Sequence, residues 1–200
     1  MAGTQHVFPE FQQMLGAKAI NLTSDTLKVG LIASGTFTWG ATPQGYSYVS
    51  QFLAGDGAHG ALTEVSPSGT GYARYSLISP AYTTSGEVGT LTCPTNPIWA
   101  SATFSTVYGF LYDSTVGSAD SGHPIICYWD WGSVKSPSAE PFTITISASG
   151  LLTWTLSLPR NLVGVSRAAD SPDPDIRRNG QLLRRRHILH PLETGRTRVG

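Results

Sequence analysis

The chain has 200 residues, enough for one ordinary domain plus an appendage, and only 13% of them are charged. Glycine, serine and threonine stand in place of charge, which suits a β-rich protein with many tight turns and surface covered by neighbours. The formal net charge of zero hides an asymmetry: residues 1–160 carry five basic against nine acidic residues, about −4, whereas residues 161–200 carry eight arginines against four acids, about +4. No run of 18 apolar residues occurs, so no membrane span is expected, and without a basic leader and apolar stretch at the N-terminus the protein is expected to fold in a cytosol.

Met1 to Val7 reads as a loose end. Phe8 to Ile20 has Pro9 in its first turn and Phe8, Phe11, Leu15 and Ala19 at helical spacing, so a short amphipathic helix is expected there, docked on a sheet or at a subunit contact. Thr26 to Ala33 is the first clear strand, with Leu27, Val29 and Leu31 on one face and Gly30 and Ile32 on the other. Apolar residues on both faces mark a central strand. Ser34 to Gly45 is a loop, and Tyr46 to Leu53 fits one or two helical turns. Short extended segments follow at 61–65, 72–77, 86–93 and 98–104, separated by turn residues, with 78–86 read as loop.

The longest strand signal lies between Phe104 and Gly132. Phe104, Tyr108, Phe110 and Tyr112 alternate with Val107, Gly109 and Leu111. After the loop Ser114 to His123, which carries no motif and is a contact candidate, Ile125, Cys127, Trp129 and Trp131 alternate with Ile126, Tyr128 and Asp130. The face with Cys127 and Trp129 is expected to fill the core, and the face with Tyr128 and Asp130 to meet a neighbour. Val134 to Pro141 reads as loop. Phe142 to Ser147 and Leu151 to Leu158 alternate cleanly, and the SASG between them reads as a hairpin turn. The fold expected is mainly β: an antiparallel β-sandwich or flattened barrel with one short N-terminal helix packed on it, over residues 1–163.

Residues 164–200 form the second segment, a disordered or extended basic tail in which Arg184, Arg185 and Arg186 precede His187. Its charge and lack of aromatics fit either a solvated extension or an arm that touches nucleic acid or an acidic neighbour.

No catalytic, cofactor or metal motif stands out. GDGAHG at 55–60 lacks the strand-to-helix context of a phosphate loop, and no G-x-S-x-G or metal-ligand spacing occurs in the body. Cys93 and Cys127 lie outside any CxxC spacing; they read as buried free thiols, with a bridge as the alternative. Asp130 between Trp129 and Trp131 marks either packing or a sugar-binding surface. The candidate interaction residues are Trp39, Tyr112, Tyr128, Asp130 and Trp131, with Arg184, Arg185 and Arg186 as a candidate contact arm.

The order of pieces resembles a family of tailed-bacteriophage virion proteins. A short helix leads into Ser24-Asp25-Thr26-Leu27-Lys28-Val29-Gly30-Leu31. An E-x-x-x-x-G-T-G-Y segment follows from Glu64 to Tyr72, then an aromatic strand from Tyr108 to Asp113, then Tyr128-Trp129-Asp130-Trp131-Gly132, and a closing hairpin from Phe142 to Trp154. The resemblance covers residues 8–158. It implies a small, non-enzymatic β-rich structural protein of the virion, assembled in the host cytoplasm, decorating the head or forming part of an appendage. Homo-oligomers and other virion proteins are then the expected partners, with no cofactor and no membrane. A carbohydrate- or receptor-binding module of the same particle is the alternative, with Trp39, Tyr112, Trp129 and Trp131 lining a groove.

Overall fold

The computed structural model describes residues 3–39, 45–55 and 60–155. The chain divides into Met1–Leu158 and Pro159–Gly200; the expectations for the tail, including Arg184, Arg185 and Arg186, lie outside the described residues.

The architecture is mainly β and antiparallel. β2 (Leu27–Ser34), β8 (Thr106–Asp113) and β9 (Ile125–Lys135) form the centre of a six-stranded sheet. β1 (Thr4–Val7) adds to the outer edge of β9, and the short β3 (Thr63–Glu64) and β4 (Tyr75–Ser76) both pair with β2. A three-stranded sheet, β11 (Leu152–Thr155), β6 (Val88–Thr92) and β5 (Ala81–Ser85), and a two-stranded one, β10 (Ser138–Thr143) with β7 (Ile98–Thr103), complete the strands. Two helices, α1 (Pro9–Gly16) and α2 (Val49–Ala54), join them.

Both faces of the large sheet are buried. One carries Leu27, Val29, Leu31, Leu111, Cys127, Trp129 and Trp131, which pack with Leu91, Trp99, Phe142, Leu152 and Trp154 of the smaller sheets. The other carries Ile32, Tyr108, Phe110, Tyr112 and Tyr128 and packs under Phe8, Phe37, Tyr46, Val49 and Phe52. Two of these rings find backbone partners for their polar ends, the Tyr108 hydroxyl accepting from Phe37 N at 3.1 Å and Trp99 Nε1 donating to the Ala73 carbonyl at 2.7 Å, whereas Trp131 Nε1 and Trp154 Nε1 are buried with no partner among the described residues. A buried hydroxyl or indole N–H left alone costs stability.

Three glycines in strand interiors each face an aromatic ring across the ladder. Gly30 pairs with Phe110, Gly109 with Trp129, and Gly89 with Trp154. A Cβ at Gly109 would sit 2.7 Å from the Trp131 ring, and one at Gly89 would sit 2.6 Å from Trp154. The missing side chains are therefore the seats of the rings, which cover backbone that a glycine would leave bare.

Several expectations need correction. The N-terminal stretch is β1, whose four residues pair with Cys127 to Asp130. The helix after it ends at Gly16, and Lys18 lies at φ +59°, a left-handed conformation that closes the helical run before Ile20. Residues 81–85, read as loop, form a hairpin with β6, turning at Gly86 with φ +60°. Residues 134 and 135 extend β9, and 138–140 open β10. The Ser147–Gly150 turn forms, yet its arms part after one bridge: β10 pairs with β7 and β11 with β6.

The alternation in β9 also breaks. Leu111 pairs with Cys127 but Tyr112 with Ile125, so β9 bulges by one residue at Ile126. Ile126 and Cys127 consequently face the same core, and Ile125 joins Tyr128 on the opposite side.

Candidate functional site

The densest polar cluster is built on Arg74. Glu64 ends β3, Arg74 precedes β4, and both strands hang on β2, which brings the two side chains together. Arg74 Nε donates to Glu64 Oε1 at 2.7 Å and Nη2 to Glu64 Oε2 at 2.6 Å. Nη1 and Nη2 donate to the two carboxylate oxygens of Asp120 at 2.5 and 2.7 Å, and Nη1 also reaches the Tyr112 hydroxyl at 3.3 Å. These five bonds use all five N–H donors of the guanidinium. Its plane lies over aromatic rings, with the central carbon 5.0 Å from the Tyr112 centroid and 5.6 Å from that of Phe110.

The cluster extends at both ends. The Tyr72 hydroxyl donates to Glu64 Oε1 at 2.6 Å and accepts from Leu31 N at 3.0 Å. His123 Nδ1 lies 3.2 Å from Asp120 Oδ1, and its ring packs 5.4 Å from that of Tyr112. The electrostatics follow from the pairing. Arg74 holds the Asp120 carboxyl below its ordinary range. Burial opposes the charge on Arg74, but the bonds to Glu64, Asp120 and Tyr112 outweigh it and raise its pKa. Burial, reinforced by Glu64, pushes the Tyr72 phenol up.

A guanidinium whose donors are all taken by its own chain has none left for a phosphate or carboxylate ligand. The chemistry available to this cluster is fastening. Through Asp120 it anchors the loop between β8 and β9, which in turn supplies the His123 and Asp120 carbonyls to the Val49 and Ser50 amides at the start of α2, each at 3.0 Å. Those amides lack partners inside the helix. The Ser114–His123 loop is thus tied to the body at its second half, while residues 115–119 stay exposed.

The five residues expected to form an interaction surface do not form one within this chain. Tyr112 is 2% exposed, Tyr128 1% and Trp131 6%. Trp39 is half-buried, stacked 4.8 Å from the His6 ring, which stacks in turn 4.9 Å from Tyr128. Asp130 is half-exposed and accepts from Gly132 N at 2.7 Å, bracing the irregular stretch of β9 in which Gly132 takes φ +68°. Tyr128 was expected to face a neighbour because its strand's other face was assigned to the core. A second apolar layer, supplied by the segment around Phe37 to Phe52, covers it instead. The functional grouping that sequence reasoning missed is Glu64, Arg74 and Asp120; no local spacing joins three residues so far apart in the chain.

Both cysteines are free and buried, and burial raises the Cys127 thiol well above its ordinary value. Among the described residues, no group of three or more His, Cys, Asp or Glu side chains is placed to hold a metal, and no helix is long and apolar enough to cross a membrane. An open cavity of about 180 Å³ lies beside Gln5, Trp129, Trp131, Ile144 and Leu151, with the two indole rings parallel within 7°. No protein-family model, curated protein or solved structure matches this chain.

Proposed function

We propose that the protein is a non-enzymatic structural subunit of a tailed-bacteriophage particle, acting by adhesion to copies of itself and to other virion proteins. The observation that carries this reading is the surface of the outer strands. Val88 is 41% exposed, Ile98 47%, Ile78 53% and Val134 59%. They lie on or beside β5, β6, β7 and β9, and the outer edges of β5 and β10 carry no partner strand among the described residues. Open ladders next to exposed aliphatic side chains are a liability in a free monomer and an asset in a lattice of subunits.

The pieces that carry the resemblance meet within the fold. Glu64 and Tyr72 of the E-x-x-x-x-G-T-G-Y segment bond one another and, through Arg74, reach Tyr112 of the aromatic strand. The residues that carry the likeness are therefore framework residues, as in a protein whose job is shape.

Light scattering on size-exclusion fractions across a hundredfold concentration range tests the reading, together with co-sedimentation on purified phage heads and tails. Oligomers or particle binding are expected, with Ile98→Lys and Val134→Lys weakening association at least tenfold while leaving the circular dichroism spectrum unchanged. A strict monomer that binds no particle overturns it. The glycan-binding alternative needed exposed rings. Its remaining support is the Trp129–Trp131 pair at the open cavity, and both rings are less than a tenth exposed. Glycan binding lost in Trp129→Ala would bring that reading back.

A further inference from the structure

The three-stranded sheet of β11, β6 and β5 is closed at one edge and open at the other. On the β11 side, Gln5 Nε2 donates to the Leu151 carbonyl at 2.7 Å and Gln12 Nε2 to the Thr155 carbonyl at 3.3 Å. On the other side, all five residues of β5 pair with β6, from Ala81 opposite Thr92 to Ser85 opposite Val88, and no strand lies beyond them among the described residues.

The register decides which groups β5 presents. Gly86 and Glu87 form a two-residue turn, so Ser85 and Val88 are the hydrogen-bonded pair that closes it. By alternation Ala81, Thr83 and Ser85 direct their N–H and C=O groups to β6, whereas Tyr82 and Thr84 direct theirs outward. No backbone partner meets these outward groups among the described residues. The strand is held ready for one: the Tyr82 ring stacks on Trp154 with 5.4 Å between centroids and 9° between planes.

Open edges invite pairing, and the other edges of this fold carry guards against it. β10 has Glu140, Pro141 and two register shifts. β1, β3 and β4 are no longer than four residues. β7 gives the Thr103 amide to the Thr70 carbonyl at 2.9 Å. The sequence of β5, Ala-Tyr-Thr-Thr-Ser, contains no charge and no proline, and its pairing runs without a register shift.

This edge is complementary to itself. Antiparallel pairing about a two-fold axis at Thr83 sets Tyr82 of one copy opposite Thr84 of the other, with the outward groups of both in hydrogen-bonding register. The same pairing lays a phenol ring beside a threonine methyl, a favourable cross-strand pair. Val88, 41% exposed, stands at the end of the strand, and Ile78, 53% exposed, precedes its start. Antiparallel pairing brings the Val88 end of one copy to the Ile78 end of the other. The charge in this hairpin is Glu87, which lies away from the axis, so two copies hold these carboxylates roughly 25 Å apart, well beyond the screening length of about 8 Å.

We propose that β5 is a homodimer contact: two copies join edge to edge, antiparallel about Thr83, and their three-stranded sheets become one continuous sheet. The pairing rests on the reading of the protein as a self-adhering subunit and names one of its contacts, separate from those of Ile98 and Val134.

Sedimentation velocity of the full-length protein over a concentration series is expected to show a dimer. Thr83→Lys places two ammonium groups opposite each other at the axis and should weaken it at least tenfold with an unchanged circular dichroism spectrum. Thr84→Pro removes an outward N–H that β6 does not use and should do the same. Thr83→Cys should give a disulfide-linked dimer on mild oxidation, because a non-hydrogen-bonded pair sets the Cα atoms about 4.5 Å apart. Ser85→Cys, opposite Ala81 of the other copy, should not. The cysteine variants keep the test valid if Thr84→Pro fails to fold. Dimers that survive Thr83→Lys and give no Thr83→Cys cross-link overturn the β5 pairing but leave the subunit role standing on other contacts, as does a strict monomer that still binds phage particles. Hydrogen-exchange protection of the Tyr82 and Thr84 amides that does not change with concentration gives the edge to another segment of the same chain, and also overturns the pairing.

Discussion

At the scale of single residues, the fold depends on glycines that hold rings and on one saturated cation. Gly30 lies directly under the Phe110 ring, with no room for a methyl group. Gly30→Ala is therefore expected to cost about 1–3 kcal/mol by overpacking, read from urea unfolding; a change below a few tenths would mean that Phe110 swings aside freely. Arg74 makes five bonds with its side chain about a fifth exposed, 21%, so its pairs are screened only in part. Arg74→Met, which keeps the stem but strands Glu64 and Asp120, should cost about 2–3 kcal/mol. Asp120 supplies the pH dependence. Its carboxyl is held below the unfolded value of 3.8, so its contribution is present above about pH 4 and fades as the pH falls through the lowered native value. Stability between pH 4 and 2 should accordingly fall less steeply in Asp120→Asn than in the parent. An unchanged acid slope would show that the Arg74 pair does not discriminate the folded state.

Among the elements, β1 departs furthest from its sequence. Thr-Gln-His-Val carries little apolar signal, yet its backbone completes the edge of β9, and His6 sits between Trp39 and Tyr128. Deleting residues 1–7 is expected to destabilise the protein by about 1–3 kcal/mol. Hydrogen exchange should accelerate at the β9 amides that bond to β1 and stay slow in β2. Uniform protection in the truncated chain would return the segment to a loose end. The turn at Ser147–Gly150 teaches the complementary lesson. Its local chemistry predicts a hairpin and a turn forms, but the arms are claimed by β7 and β6. Turn residues act locally, whereas ladder partners are chosen by what buries Phe142, Leu152 and Trp154.

Across the whole molecule, the layers are two sheet surfaces enclosing one core and a helix-and-loop cover enclosing a second. Met1–Leu158 is a compact unit in its own right, and both cores lie within it. Removing residues 166–200 should therefore leave the far-UV circular dichroism and melting temperature of the remaining chain within experimental scatter. Unfolding of the shortened protein would move the domain boundary into the tail.

The positions of β2 and β8, the central role of β2 and the free state of both cysteines were legible in the sequence, because side-chain alternation and the β-branched and aromatic content of Leu27–Ser34 and Thr106–Asp113 are local properties. The assignment of faces was not. Period-2 alternation separates two sides of a strand, but when both are apolar it cannot say which meets the other sheets and which meets a cover; Tyr128 is expected at a neighbour for that reason. The bulge at Ile126 and the cluster on Arg74 belong to the tertiary structure alone. Each joins residues distant in the chain, and only the pairing of β8 with β2 and β9 brings them within reach.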